Sequence, residues 1–225
     1  MSEMEKKTKD FPRIIELNED LLVKNEELFT IYKEELIKRK IRIIEFVGAI
    51  GAGKTTVLEH LVEKLTKDYK LRVFVICGDV VTTVDSDRIE SRGALVSQIN
   101  TGKECALNAY HINRVLTNVD LDEIDVIFIE NVGNLICPSD FLLGADIRVM
   151  VVSITEGPWV IRKHPLLVKQ SDFLLINKMD LNPYLKVDVD SMVADAKAIN
   201  GNATVIQFTA QDGSQIDDLV KKLGF

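Results

Sequence analysis

Short, almost wholly apolar runs alternate along the chain with segments whose apolar residues recur at helical spacing. Residues 42–47 (RIIEFV), 71–77 (LRVFVIC), 125–130 (DVIFIE), 146–153 (DIRVMVVS), 172–177 (DFLLIN) and 203–208 (ATVIQF) read as strands, with 94–99 as a further edge strand. Strands apolar through their length are buried on both faces, which is the habit of parallel sheets covered by helices. Helical spacing occupies residues 56–65, 102–116 and 187–199, and Asp212 stands where it would cap a last helix through Leu223. The pattern predicts a doubly wound, mostly parallel α/β sheet. Ahead of it, Ile14, Leu17, Leu21, Leu22, Leu28, Ile31 and Leu36 recur at helical intervals with Lys and Glu opposite. That spacing predicts one long helix or two shorter ones lying on the domain, after a polar, frayed stretch over residues 1–10. The expected division is an N-terminal helical extension over 1–38 and an α/β domain over 39–225.

The turn after the first strand carries the chemistry. In GAIGAGKTT, Gly48, Gly53, Lys54 and Thr55 fit G-x-x-x-x-G-K-[ST], with Gly51 as a further glycine. Glycines let backbone N–H groups, here of Gly48, Ala49, Gly51, Ala52, Gly53 and Thr56 as well as of the lysine and threonine, close around a polyphosphate. The helix that starts at the loop's end aims its unpaired N–H groups and positive dipole end at the anion. Lys54 is placed to reach β/γ oxygens and the Thr55 hydroxyl to reach Mg²⁺. The chain is thus predicted to be a P-loop NTPase. Asn177-Lys178-Met179-Asp180 is N-K-x-D at a strand end. A carboxylate at Asp180 accepts from N1–H and the 2-amino group of guanine, whereas adenine would leave it unpaired. The expected substrate is therefore GTP, with Asn177, Lys178 and Asp180 at the base and Thr209, Ala210 and Gln211 beside it. Mg²⁺ needs few protein oxygens. Asp79, Asp85 and Glu130 are the candidate carboxylates beside Thr55, and Asp79 is also the candidate to orient attacking water. Segments 79–92 and 130–137, the latter with Gly133, are candidate switches ordered by the γ-phosphate.

Composition narrows the partners. The 225 residues carry a net charge of −7 with 46% hydrophobic and 28% charged residues, a balance that disfavours broad binding to nucleic acid or anionic membranes. No apolar run approaches the roughly 18–20 residues of a bilayer span, and the charged start MSEMEKKTKD is unlike a secretory signal, so the expected location is cytoplasmic. Cys77, Cys105 and Cys137 are expected to form no disulfide framework and to serve as core thiols, metal ligands or redox groups. Cys77, at a strand end, is expected in the core.

In their order, GAIGAGKTT, GDV with Asp85, NTGKEC, ENVGNLICP, the TEG of Thr155–Gly157 with Lys163-His164-Pro165, and NKMD resemble the HypB family, GTPases of nickel insertion during nickel–iron hydrogenase maturation. The resemblance covers roughly residues 40–225. It implies Mg²⁺ held by Thr55, Asp85 and Glu130, a homodimer promoted by GTP, and Zn²⁺ or Ni²⁺ bound by Cys105 and Cys137 at the subunit interface. It also implies a hydrogenase maturation partner and the hydrogenase large-subunit precursor as clients. Two departures stand out. The family commonly has His after the first cysteine, where this chain has Ala106, and many members carry a Cys- or His-rich N-terminal stretch that is missing here. Thiolates alone could form a four-cysteine site, two from each chain, a set that suits Zn²⁺. His111, six residues after Cys105 on a presumed helix, would not share its face. The urease accessory GTPase UreG is similar in kind, but its Cys-Pro-His motif and E-S-G-G switch do not occur here. A urease-type accessory role, a metal-free GTP switch and a P-loop kinase remain the alternatives.

Overall fold

The computed structural model describes residues 19–79, 84–102 and 104–225; the expectations for residues 1–18, and parts of the 79–92 and 102–116 segments, fall outside them. The order of elements is α1 (Glu19–Arg39), β1 (Arg42–Val47), α2 (Lys54–Lys67), β2 (Val73–Asp79), α3 (Val84–Glu90), β3 (Leu95–Asn100), α4 (Ala109–Leu116), β4 (Val126–Glu130) and β5 (Ile147–Ser153). Short helices α5 (Val160–Lys163) and α6 (Pro165–Lys169) follow, then β6 (Phe173–Asn177), α7 (Asn182–Leu185), α8 (Val189–Ile199), β7 (Thr204–Gln207) and α9 (Ile216–Lys222).

The strands form one sheet in the order β3-β2-β4-β1-β5-β6-β7, every adjacent pair parallel. β1 lies at the centre, opposite Val126 of β4 at Arg42 and Ile147 of β5 at Ile44. The chain leaves β1 toward β2 and β3, returns through β4, and crosses to β5, β6 and β7. The strand order therefore reverses at β1, and the crevice beyond its carboxyl end is where such sheets take ligands. Leu58, Leu61 and Leu65 of α2 and Val220 of α9 cover one face, over Phe46 and Phe128, whose rings meet edge to face at 5.9 Å. On the other face α1 and α4 cover Ile43, Ile76 and Ile127, while α5, α6 and α8 cover Met150, Leu174 and Ile176. Each such side chain, fully buried, contributes roughly 1.5–3 kcal/mol relative to exposure.

The N-terminal helix is fixed as well as packed. Tyr32 Oη donates to the Leu143 carbonyl at 2.6 Å. Asn25 donates to the Leu142 carbonyl and accepts from Ala109 N–H, both at 2.7 Å.

Three expectations need correction. The helix read over 102–116 begins only at Ala109, because Asn108 accepts from His111 N–H and His111 Nδ1 accepts from Asn108 N–H, a reciprocal cap that ends the preceding turn. Cys105 is thus not on a helix, and helical spacing to His111 does not apply. Asp212 does not cap the last helix; it accepts from Ser214 N–H in a turn, and α9 starts later with Gln215 before it. Finally, Cys105 and Cys137 are joined in a disulfide, their Cα atoms 6.0 Å apart. Loops distant in sequence converge at the sheet's carboxyl edge, which spacing alone does not reveal. Cys77 is buried, as expected of a core thiol.

Candidate nucleotide and metal site

The P-loop is built by close approaches that only glycine allows. Gly53 has φ +105°, and a Cβ there would lie 2.3 Å from Asn177 Nδ2. The backbone of the loop accordingly sits on the N-K-x-D strand end. Lys54 is buried, and its Nζ donates to the Gly48 and Ala49 carbonyls at 3.1 and 3.2 Å, so the ammonium is drawn back over the loop it serves. Burial pulls its pKa down, opposed by Glu130, Asp85, Glu156 and Asp79, in that order.

Thr55 and Glu130 meet: Thr55 Oγ1 donates to Glu130 Oε1 at 2.7 Å. Glu130, the last residue of β4, is buried, and burial raises its pKa to about 7 against the pull of Lys54 and Thr55. Among the described residues its Oε2 makes no hydrogen bond. A buried hydroxyl and a buried carboxylate with an unmatched oxygen form a hard-oxygen donor set, and this set fits Mg²⁺. Asp85 stands on α3 and pairs with Arg88 at 3.4 Å. Arg88 also reaches Glu59 of α2 at 2.5 Å. Asp79 ends β2, its carbonyl accepting from Thr101 N–H at 2.9 Å.

On the base side Asn177 is a staple. It donates to the Ala52 carbonyl of the P-loop at 2.8 Å and accepts from Ala210 N–H at 2.9 Å. Thr209 N–H donates to Gln215 Oε1 at 2.8 Å. Thr209 and Ala210, expected beside the base, thus have their N–H groups engaged within the protein, while Gln211 lies exposed beside them. Lys178 takes φ +66°, and Asp180 is exposed at the turn after β6.

Two residues of the site had no assigned role in the sequence. Glu156, after β5, accepts from Ser153 N–H at 2.7 Å. Burial raises its carboxyl pKa, opposed in part by Lys178, His164 and Lys54. The TEG triplet was its only signal. Asn131, directly after Glu130, is buried in the sheet edge, and nothing in its spacing sets it apart.

The loop that carries Cys137 adjoins the P-loop. A Cβ on Gly133 would come within 2.3 Å of the Ile50 side chain and 2.9 Å of its backbone nitrogen. Asn134 bridges to Gly48, and its Oδ1 accepts from Cys137 N–H at 3.0 Å. Cys105 is exposed and Cys137 half-buried, while Ala106 is buried. His111 is spent in its cap and lies 3.5 Å from Glu104, and burial lowers its pKa. Among the described residues, no three His, Cys, Asp or Glu side chains gather as a metal site. Among the described residues two sulfurs come together with no third such side chain gathered beside them.

The profile of the CobW/HypB/UreG nucleotide-binding domain matches residues 42–207. A probable hydrogenase maturation factor HypB of Methanocaldococcus jannaschii is 41% identical over 208 residues, 92% of this chain and 93% of its own. The chain belongs to the HypB family. Its HypB relatives include the hydrogenase maturation factor of Escherichia coli, 38% identical over 91% of this chain and 70% of its own length. Two solved HypB structures share the architecture. That from Archaeoglobus fulgidus has a TM-score of 0.82 at 37% identity, covering 89% of this chain and 97% of that one. That from Helicobacter pylori, in complex with nickel, scores 0.83 at 29% identity over 89% and 93%. Among the described residues no helix is long and apolar enough to cross a membrane.

Proposed function

We propose that this HypB-family chain is a GTP-hydrolysing switch that supports nickel insertion during hydrogenase maturation, dimerises with GTP, and holds Zn²⁺ or Ni²⁺ through Cys105 and Cys137 where two chains meet. The observation that carries the reading is the meeting of Cys105 with Cys137, whose own loop touches the P-loop at Gly48 and Ile50. A γ-phosphate that reorders the segment after Glu130 would move Cys137 with it, and the coupling would act equally in reverse. Reduced, the pair offers two thiolates, and a second chain would complete four. A second reading, service to urease, draws on the 31% identical Helicobacter pylori relative described as a hydrogenase/urease maturation factor.

In this reading Lys54 leaves the Gly48 and Ala49 carbonyls for the β/γ oxygens of GTP, and the P-loop N–H groups cradle the rest. Thr55, Glu130 and Asp85 would hold Mg²⁺, which supplies charge neutralisation at the β/γ oxygens. Asp180 selects guanine, Asn177 keeps the base loop in register with the P-loop, and Asp79 orients the attacking water. Equilibrium dialysis of the reduced protein against Zn²⁺ and Ni²⁺, with and without a GTP analogue, tests the metal half. Cys105→Ser and Cys137→Ser should each abolish the interface site. Wild-type stoichiometry in both variants would remove it. Lys54→Ala should eliminate GTP hydrolysis with the fold intact.

A further inference from the structure

A polar chain, buried except at Gln170, links the end of β4 to both cysteine loops. At its centre Glu45, fully buried in β1, accepts from Arg148 Nε at 2.8 Å through Oε2 and from Asn131 Nδ2 at 2.7 Å through Oε1. Asn131 follows Glu130 directly, and its Oδ1 accepts from both Leu107 N–H and Val132 N–H at 2.9 Å. Leu107 stands two residues after Cys105. In the other direction Arg148 Nη1 donates to Gln170 Oε1 at 2.9 Å, and Gln170 Nε2 donates to the Ser139 carbonyl at 3.0 Å. Ser139 stands two residues after Cys137. A buried ion pair of this kind adds little net stability over well-packed apolar residues. What it does supply is direction: a single amide orientation at Asn131 satisfies Glu45, Leu107 and Val132 together.

We propose that Asn131, anchored by the Glu45–Arg148 pair, is a positioning residue that sets Cys105 against Cys137 and transmits movement of the Glu130 strand end to the thiol pair. Its role in metal coupling rests on the cysteine-site reading above; its role in posing the thiols does not. Asn131 N–H also donates to the Phe46 carbonyl at 2.9 Å, so the residue is held to β1 through backbone and side chain, and a displacement of residue 131 strains the bond to Leu107 N–H together with these. Gln170 ties the second loop to the same ion pair from the surface.

The test uses full-length Asn131→Ala and Gln170→Ala. In the first readout, each reduced protein is equilibrated with glutathione disulfide: the Cys105 and Cys137 thiols lose two electrons and two protons to form one S–S bond, and two glutathione thiols are released. The closure constant should fall roughly ten-fold in Asn131→Ala, the equivalent of one lost buried hydrogen bond, and a few-fold in Gln170→Ala. In the second, Zn²⁺ affinity is measured with and without a GTP analogue, and in Asn131→Ala their ratio should collapse toward one while nucleotide affinity persists. A wild-type closure constant in folded Asn131→Ala overturns the proposal; if that variant does not fold, a wild-type constant in Gln170→Ala does so. Wild-type protein that binds no metal at its cysteines would retire the functional reading alone, leaving the closure constants to decide the positioning role.

Discussion

Glu130 concentrates the site's chemistry in one carboxyl group. Its proton is held in the fold up to about pH 7, against an ordinary value of 4.5. The folded state therefore binds that proton more tightly than the unfolded chain does. Its contribution to stability is fully present below the unfolded value and is lost as pH rises through about 7, the loss amounting to a few kcal/mol at most. For the metal-free, nucleotide-free protein, urea midpoints should fall between about pH 5 and pH 8, and Glu130→Gln, which has no proton to lose, should flatten that decline. An equal slope in the variant would assign it to another group. Asp180 makes a separate residue-level claim. Asp180→Asn should weaken GTP about a hundred-fold or more and favour XTP, whose edge pairs with an amide; nucleotide competition binding reads it. Both residues were singled out in the sequence, because a motif names a position as well as a residue. Glu45 and Arg148 were not: within apolar runs they read as interruptions, and their pairing depends on which strands are neighbours.

At the scale of elements, the strands were the most legible part and the helices around the site the least. β1 spans Arg42–Val47, as the apolar run predicts. The wrong start of α4 and the unforeseen α3, α5 and α6 share a cause. These helices are short, so periodicity gives them too few turns to register, and their ends are set by caps and contacts. α3 illustrates the contacts. It lies against α2 through Arg88, 2.5 Å from Glu59, and the turn after it adds Arg92, which reaches Glu59 at 3.7 Å and Glu63 at 3.0 Å. Because α3 carries Asp85, its attachment governs one candidate Mg²⁺ oxygen. Arg88→Ala should accelerate amide exchange across Val84–Glu90 by several-fold, as expected for losing about 1 kcal/mol of half-exposed ion pairing. Exchange in α2 should stay unchanged, and protection of α3 at the wild-type level would show that apolar contacts such as Ile89 hold it instead.

For the whole molecule, the disulfide and the proposed metal site are alternatives that would use the same two sulfurs. Joined, Cys105 and Cys137 close a loop with a sequence separation of 32. Chain-entropy arguments assign such a crosslink about 3–4 kcal/mol, or roughly ten degrees of melting temperature for a chain of this size. The oxidised protein should melt at one temperature whatever its concentration, since the constraint lies within one chain. Reduced and chelated, it should melt about ten degrees lower. Reduced with Zn²⁺, it should recover, and the recovery should grow with protein concentration, because two thiolates from each of two chains make folding stability depend on association. Calorimetric scans at two protein concentrations separate these cases. Recovery with Zn²⁺ that ignores concentration would mean that a single chain completes the coordination by itself. The ligands would then have to be sought beyond Cys105 and Cys137, since the described residues offer no third side chain beside them.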